Sequence, residues 1–174
     1  MVILGIDPGY AIVGWGVVEY SHSRFRVMGY GAITTNADTP FPERLQQIYN
    51  DMCYLFDKYK PDAMSMEKLF YNSNQKTVID VAQARGVITL AAQMYQKDIF
   101  EYTPLQVKQS VTGYGRAEKK QVMEMTKNIL GLKAVPKPDD TADALAMAIC
   151  HGHVSQSSIG RLNSMIKEQF GDIL

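Results

Sequence analysis

The sequence predicts an α/β protein: a five-stranded mixed sheet, its first three strands antiparallel, flanked by helices on both faces. Two observations carry this reading. Residues 2–7, 12–20 and 25–35 are rich in β-branched and aromatic residues and are joined by short turns, the pattern of an antiparallel meander. Two further short apolar runs, 63–67 and 98–102, each follow a stretch with helical spacing. Strands that alternate with helices pair in parallel, so the sheet is mixed and helices must cover it.

In order, Pro8-Gly9-Tyr10 and Ser21-His22-Ser23 supply the first two turns, and Gly14 and Gly16 alternate in the second strand, which suggests close backbone approach there. Residues 36–42 form a polar, proline-bearing loop. Leu45, Ile48, Met52, Leu55, Phe56 and Tyr59 then recur at helical spacing until Pro61-Asp62. The strand over 63–67 is followed by a loop over 70–75 and a helix over 78–95, then the strand over 98–102. Thr103-Pro104 opens the next helix with a threonine cap and a first-turn proline. Gly113-Tyr114-Gly115 breaks the chain, and a helix resumes over 117–130 until Gly131. Pro136-Lys137-Pro138 is a rigid connector. Asp139 caps a helix running to about Cys150, residues 155–158 read as a linker, and 161–170 as a weak helix or frayed tail.

A chain of 174 residues suits one domain, here expected over 1–153 with a tail over 154–174. No apolar run approaches the roughly 18–20 residues that a membrane span needs. The chain starts directly on a strand, without a charged leader, and Cys53 and Cys150 form no CxxC. The expectation is a cytoplasmic protein with two reduced core thiols. The ten methionines are scattered and read as core filling.

Four carboxylates stand where apolar segments end or helices begin: Asp7 closes the first strand, Glu67 the fourth, and Asp140 and Asp143 head the last helix. Acids at such positions can converge in space although they are distant in sequence. Converged acids repel and are driven toward protonation unless cations hold them. Oxygen-only donors point to Mg²⁺, with Mn²⁺ as a substitute. Each acid also has a plainer reading. Asp-Pro-Gly is a common turn, many strands end in an exposed acid, and acids at a helix N-terminus each gain about 0.3–1 kcal/mol from the dipole. Spacing does not separate Asp139 from Asp140, because both share a face with Asp143.

Net charge is zero, but its distribution is uneven. Residues 103–137 hold seven bases (Lys108, Arg116, Lys119, Lys120, Lys127, Lys133, Lys137) against Glu118 and Glu124, so this stretch is +5 and the rest of the chain −5. A basic region beside an acidic cluster suits a phosphate ligand bridged by metal. A solvated helix surface would read the same on charge alone.

Six segments, in this order, resemble the RuvC family of Holliday-junction resolvases within the RNase H-like superfamily. They are Gly5-Ile6-Asp7-Pro8-Gly9, Glu67-Lys68-Leu69-Phe70, Gln83-Ala84-Arg85-Gly86-Val87, and Thr103-Pro104 through Val107-Lys108-Gln109. The last two are Gly115-Arg116-Ala117-Glu118-Lys119 and Asp140-Thr141-Ala142-Asp143-Ala144-Leu145-Ala146. The resemblance implies an RNase H-like fold and a homodimeric, Mg²⁺-dependent endonuclease that cuts paired strands of a four-way DNA junction. It implies two ions per site held by Asp7, Glu67, Asp140 and Asp143, which selects Asp140 and leaves Asp139 to capping. It implies Phe70 at the junction centre, Lys108 and Lys119 on the DNA backbone, and branch-migration helicase proteins as companions. Arg116 and Lys120 adjoin Lys119, so the lysine assignment can slip by one, and Arg116 can add a phosphate contact. Thr141 stands where the family usually has alanine. Arg85 reads as structural or dimer-facing, and His151 and His153 cannot share a helical face as ligands.

Other readings fare worse. YqgF-type proteins share the glycine-flanked Asp strand but lack the Thr-Pro…Val-Lys and Asp-Thr-Ala-Asp-Ala-Leu combination. An actin-like ATPase needs a second lobe for which this chain has no room. Asp139-Asp140-Thr141-Ala142-Asp143 matches the DDxxD of prenyl synthases, which are larger and all-helical. A silent DNA-binding module would not call for four converging acids.

Overall fold

The computed structural model describes residues 1–68 and 78–156. The chain runs β1 (Val2–Asp7), β2 (Ile12–Ser21), β3 (Arg24–Thr34), α1 (Phe41–Tyr59), β4 (Ala63–Glu67), α2 (Val78–Met94), β5 (Asp98–Tyr102), α3 (Pro104–Thr112), α4 (Lys119–Ile129) and α5 (Asp139–Gln156). The sheet order is β3-β2-β1-β4-β5, with β1, β2 and β3 antiparallel and β4 and β5 parallel to β1. This is the mixed sheet the sequence predicts, with β1 at its centre.

Strand alternation sorts the core into two layers. Leu4 and Ile6 of β1 and Met64 and Met66 of β4 face α1 and α2, where Ile48, Met52, Phe56, Ala84 and Ile88 meet them. Ile3 and Val18 face the other way, onto Val107 of α3, Val122 of α4 and Leu145 and Ile149 of α5. α5 is buried on almost every side from Thr141 to Gly152, Asp143 excepted. A helix apolar all round belongs inside a molecule, and its run of alanines lets sheet and helices close on it. Thr141, at the position where alanine was expected, is also fully buried; its hydroxyl donates to the Gly31 carbonyl at 3.0 Å.

Local chemistry sets the boundaries. His22 and Ser23 both take positive φ, the two-residue hairpin geometry between β2 and β3. Thr103 and Gln106 exchange side-chain-to-backbone hydrogen bonds in a capping box that starts α3. α1 begins at Phe41, inside the expected loop, because Pro42 is tolerated in a first turn. α4 begins at Lys119 rather than 117, since the Glu118 N–H is taken by Gln121 Oε1.

Three expectations need correction. α5 continues to Gln156, so Ser155 and Gln156 are helical rather than linker, and His151 and His153 lie on the helix rather than after it. The tail over 157–174, including the expected helix over 161–170, lies outside the described residues. Met52, Met64 and Met66 fill the core, but Met28, Met94 and Met125 are exposed. Cys150 is buried and Cys53 only half-buried; both are free thiols. The helix-held His151 ring shares a 2.7 Å hydrogen bond with the Tyr102 hydroxyl inside the core.

Candidate active site

Register places the acids on one face. Ile3 faces α5, so by alternation Gly5 and Asp7 do as well, and the parallel pairing of Ile6 with Met66 puts Glu67 at the same edge. Asp7 pairs with Gly14 on β2. Beneath α5 the strands carry glycine. A Cβ at Gly5 would lie 2.0 Å from the Ala144 carbonyl oxygen, and one at Gly14 would lie 2.0 Å from that of Asp140. At Gly16 the neighbour is the Leu145 side chain, at 2.5 Å. These missing side chains let the helix lie directly on the sheet, and that contact carries Asp140 and Asp143 to the end of β1.

Gly14→Ala is therefore expected to lift the first turn of α5, to cost about 1–3 kcal/mol in urea unfolding and to carry Asp140 away from the end of β1. Gly16→Ala, which meets the Leu145 side chain at 2.5 Å and backbone only at 3.3 Å, should cost less. Equal losses from the two substitutions would contradict this packing.

Electrostatics confirm the convergence. Burial pushes the Asp7 carboxyl up to about 7, and the charges of Asp143, Asp140 and Glu67 push the same way, with Lys119 opposing. Burial and then Asp143 also raise Glu67, against Arg85 and Lys119. Lys119 Nζ stands 2.8 Å from Asp143 Oδ2 and 3.9 Å from Asp139 Oδ2. Burial would lower the Lys119 ammonium, but its hydrogen bond and attraction to Asp143, with Asp139 and Asp7, leave it raised.

Among the described residues, no three carboxylate, imidazole or thiol side chains stand close enough to ligate one ion as they are placed. The donor set is the hard-oxygen set that suits Mg²⁺ or Mn²⁺, and an aspartate pushed up to about 7 by burial and then by three neighbouring acids favours added positive charge.

Asp139 does not act as the cap expected of it. It is the first residue of α5, and its carboxylate accepts from Lys137 Nζ at 2.6 Å. That hydrogen bond holds the Asp139 pKa below the ordinary carboxylate value. Arg85 is structural, as expected: Nη1 donates to the Glu67 carbonyl at 2.6 Å and Nη2 pairs with Glu101, clamping the end of β4 to β5. Its reach to Glu67 was not legible from a mid-helix arginine. Of the expected DNA contacts, only Lys119 is drawn onto the acids. Lys108 is half-buried on α3, while Arg116 and Lys120 are exposed on the α3–α4 turn and the start of α4. Phe70 lies outside the described residues.

A family profile described as "Crossover junction endodeoxyribonuclease RuvC" matches residues 3–151. The chain belongs to the RuvC family. The RuvC of Ruminiclostridium cellulolyticum is 60% identical over 153 residues, 88% of this chain and 92% of that protein. Thermus thermophilus RuvC has a TM-score of 0.84 at 33% identity, covering 90% of this chain and 96% of that one. The T. thermophilus RuvC structure in complex with Holliday junction substrate gives 0.82 at 30% identity over the same shares. The RuvC match spans β1 through most of α5, so every element that positions the four acids lies within it. No helix among the described residues is long and apolar enough to cross a membrane.

Proposed function

We propose that this chain is a divalent-metal-dependent endonuclease that resolves four-way DNA junctions by paired, symmetric incision. The observation that carries the reading is Asp7, half-buried at the end of the central strand and surrounded by Glu67, Asp140 and Asp143, in a chain of the RuvC family. Asp7, Glu67, Asp140 and Asp143 would hold the ions, Mg²⁺ by preference, with Asp7 best placed to be shared between two. Bound there, the ions supply an activated water and neutralise charge on the phosphoryl and leaving oxygens. Asp143, paired with the Lys119 ammonium at 2.8 Å, would help hold the ions, and Lys119 beside it would oppose the charge that develops on the scissile phosphate. Arg85 holds the Glu67 backbone against β5 while this happens. Lys108, Arg116 and Lys120 grip the DNA backbone leading to the cut, and Phe70 meets unpaired bases at the junction centre. A DNA substrate and two free thiols support a cytoplasmic location for this nuclease, and branch-migration helicase proteins would be its companions.

The test is a synthetic mobile junction incubated with Mg²⁺. Symmetric paired nicks, with little cutting of linear duplex, are the expected result; ATP hydrolysis without nicking would overturn the reading.

Paired incision needs two sites related by symmetry. On α2, Ile79 (65% exposed), Leu90 (54%) and Met94 (65%) lie along one stripe, with Gly86 open to solvent between them. A second copy of the chain would cover this stripe in a homodimer. Leu90→Glu should then give a folded monomer by light scattering, with nicking reduced to single, uncoupled events. A wild-type protein that is monomeric at working concentration would exclude the dimer.

A further inference from the structure

The turn between α3 and α4 presents a ring that the cleavage chemistry leaves unused. Tyr114 is 58% exposed, and Leu105, in the first turn of α3, is 62% exposed. Isolated exposed apolar residues are ordinary. Three observations set this pair apart.

The backbone under Tyr114 is fixed. Its N–H donates to Thr112 Oγ1 at 3.2 Å, and its carbonyl accepts from Thr112 Oγ1 and from the Ala117 N–H, both at 3.1 Å. Gln109 Nε2 donates to the neighbouring Gly113 carbonyl at 2.8 Å. A ring on such a base loses little freedom when it binds something. The glycines on either side shape the turn: Gly113 takes φ +76°, and a Cβ at Gly115 would meet Leu105 Cγ at 3.2 Å. The turn thus packs against Leu105 and leaves the tyrosine outside. Finally, cations surround it in sequence, with Lys108 before and Arg116, Lys119 and Lys120 after, and Lys119 reaches the acid cluster itself.

We infer that Tyr114, next to the Gly115 that packs on Leu105, is a stacking platform for a nucleotide of the DNA strand that passes Lys119 on its way to the acids. An exposed ring among several positive charges matches a polyanion whose units carry flat π faces. The inference rests on the nuclease reading for the direction of the strand, but not for the stacking itself.

The test measures junction binding by fluorescence anisotropy over a series of salt concentrations, in an Asp7→Asn background that prevents cutting. Tyr114→Ala should weaken Kd about tenfold at every salt concentration, the loss expected of one stacked base. The salt slope should stay unchanged, Tyr114→Trp should restore affinity, and size-matched Tyr114→Leu should not. Arg116→Ala, by contrast, should reduce the salt slope by about 1. Circular dichroism melts establish that each variant is folded. Parental affinity in Tyr114→Ala, rescue by leucine, or a changed slope would each overturn the platform.

The two readings fail separately. If the wild-type chain cuts junctions and Tyr114→Ala binds normally, the platform falls alone. Tyr114-dependent binding without cutting by the wild-type chain leaves the platform and removes the resolvase. If the wild-type chain binds no junction, duplex or single strand, both fall.

Discussion

Asp7→Asn is expected to abolish cutting, to leave junction binding intact and to make the metal-free protein more stable. The last effect follows from sign. The folded carboxyl sits at about 7 against an ordinary value of 3.8, so between those pH values the native state holds a proton that the unfolded chain releases. Stability therefore falls as pH rises through that window, and the penalty is complete above about 7. At neutral pH it is on the order of 2–4 kcal/mol, which asparagine removes. Cutting should drop by about 10³-fold or more, since the variant loses the carboxylate proposed as the central metal ligand. Adding Mg²⁺ should raise the wild-type melting temperature near neutral pH and shift the variant far less. A variant that still nicks at the wild-type rate would remove Asp7 from the chemistry.

The same variant should expose a slope of opposite sign. Burial holds His151 down at about 4 from an ordinary 6.5, so its contribution to stability is complete above 6.5 and is lost as pH falls through about 4. In the wild type the two effects oppose each other over a shared range. Asp7→Asn should remove the larger opposing slope, so that the melting temperature climbs more steeply from pH 4 to 6.5 than in the wild type, with the raised Glu67 carboxyl still opposing His151.

Lys119→Met should move two measurements in opposite directions. The ammonium occupies Asp143 at 2.8 Å and opposes the upward push on Asp7 and Glu67. Without it the metal-free protein should melt earlier, because the acids lose their internal counter-charge. The ions, no longer competing for Asp143, should bind several-fold more tightly. Cutting should nevertheless fall by about 10²–10³-fold, because Lys119 is the lysine that the described residues bring onto the acids. Calorimetric Mg²⁺ titration beside single-turnover nicking reads both. Weaker metal binding in the variant would show that Lys119 assists the ions instead of competing with them.

Strand and helix periodicity made the sheet, its order of elements and the two covering layers readable from residues alone. The positions of Asp7 and Glu67 at strand ends were equally plain, because alternation and a following turn mark such ends. The choice of Asp140 over Asp139 was not plain, since both satisfy the helical spacing to Asp143. In the fold Asp140 faces the acids, and Asp139 is held by Lys137 and approached by Lys119. The Lys119–Asp143 pair joins two helices, a relation that no local pattern encodes. The true end of α5, at Gln156, also lies beyond the end near Cys150 that the sequence predicts, and Gly152 stands between the two. In the core that glycine lies under Phe25, where a Cβ would come within 2.5 Å, and the helix simply continues.

The glycine seam beneath α5 makes one helix both the keel of the molecule and the carrier of half its acids. Loosening that contact, whether by heat, by mild denaturant or by repacking a residue far from any phosphate, would shift Asp140 and Asp143 before the rest of the chain gives way. Incision should thus fade at temperatures where the bulk of the secondary structure still persists, and engineering for heat tolerance would have to begin at Gly5 and Gly14 rather than on the surface.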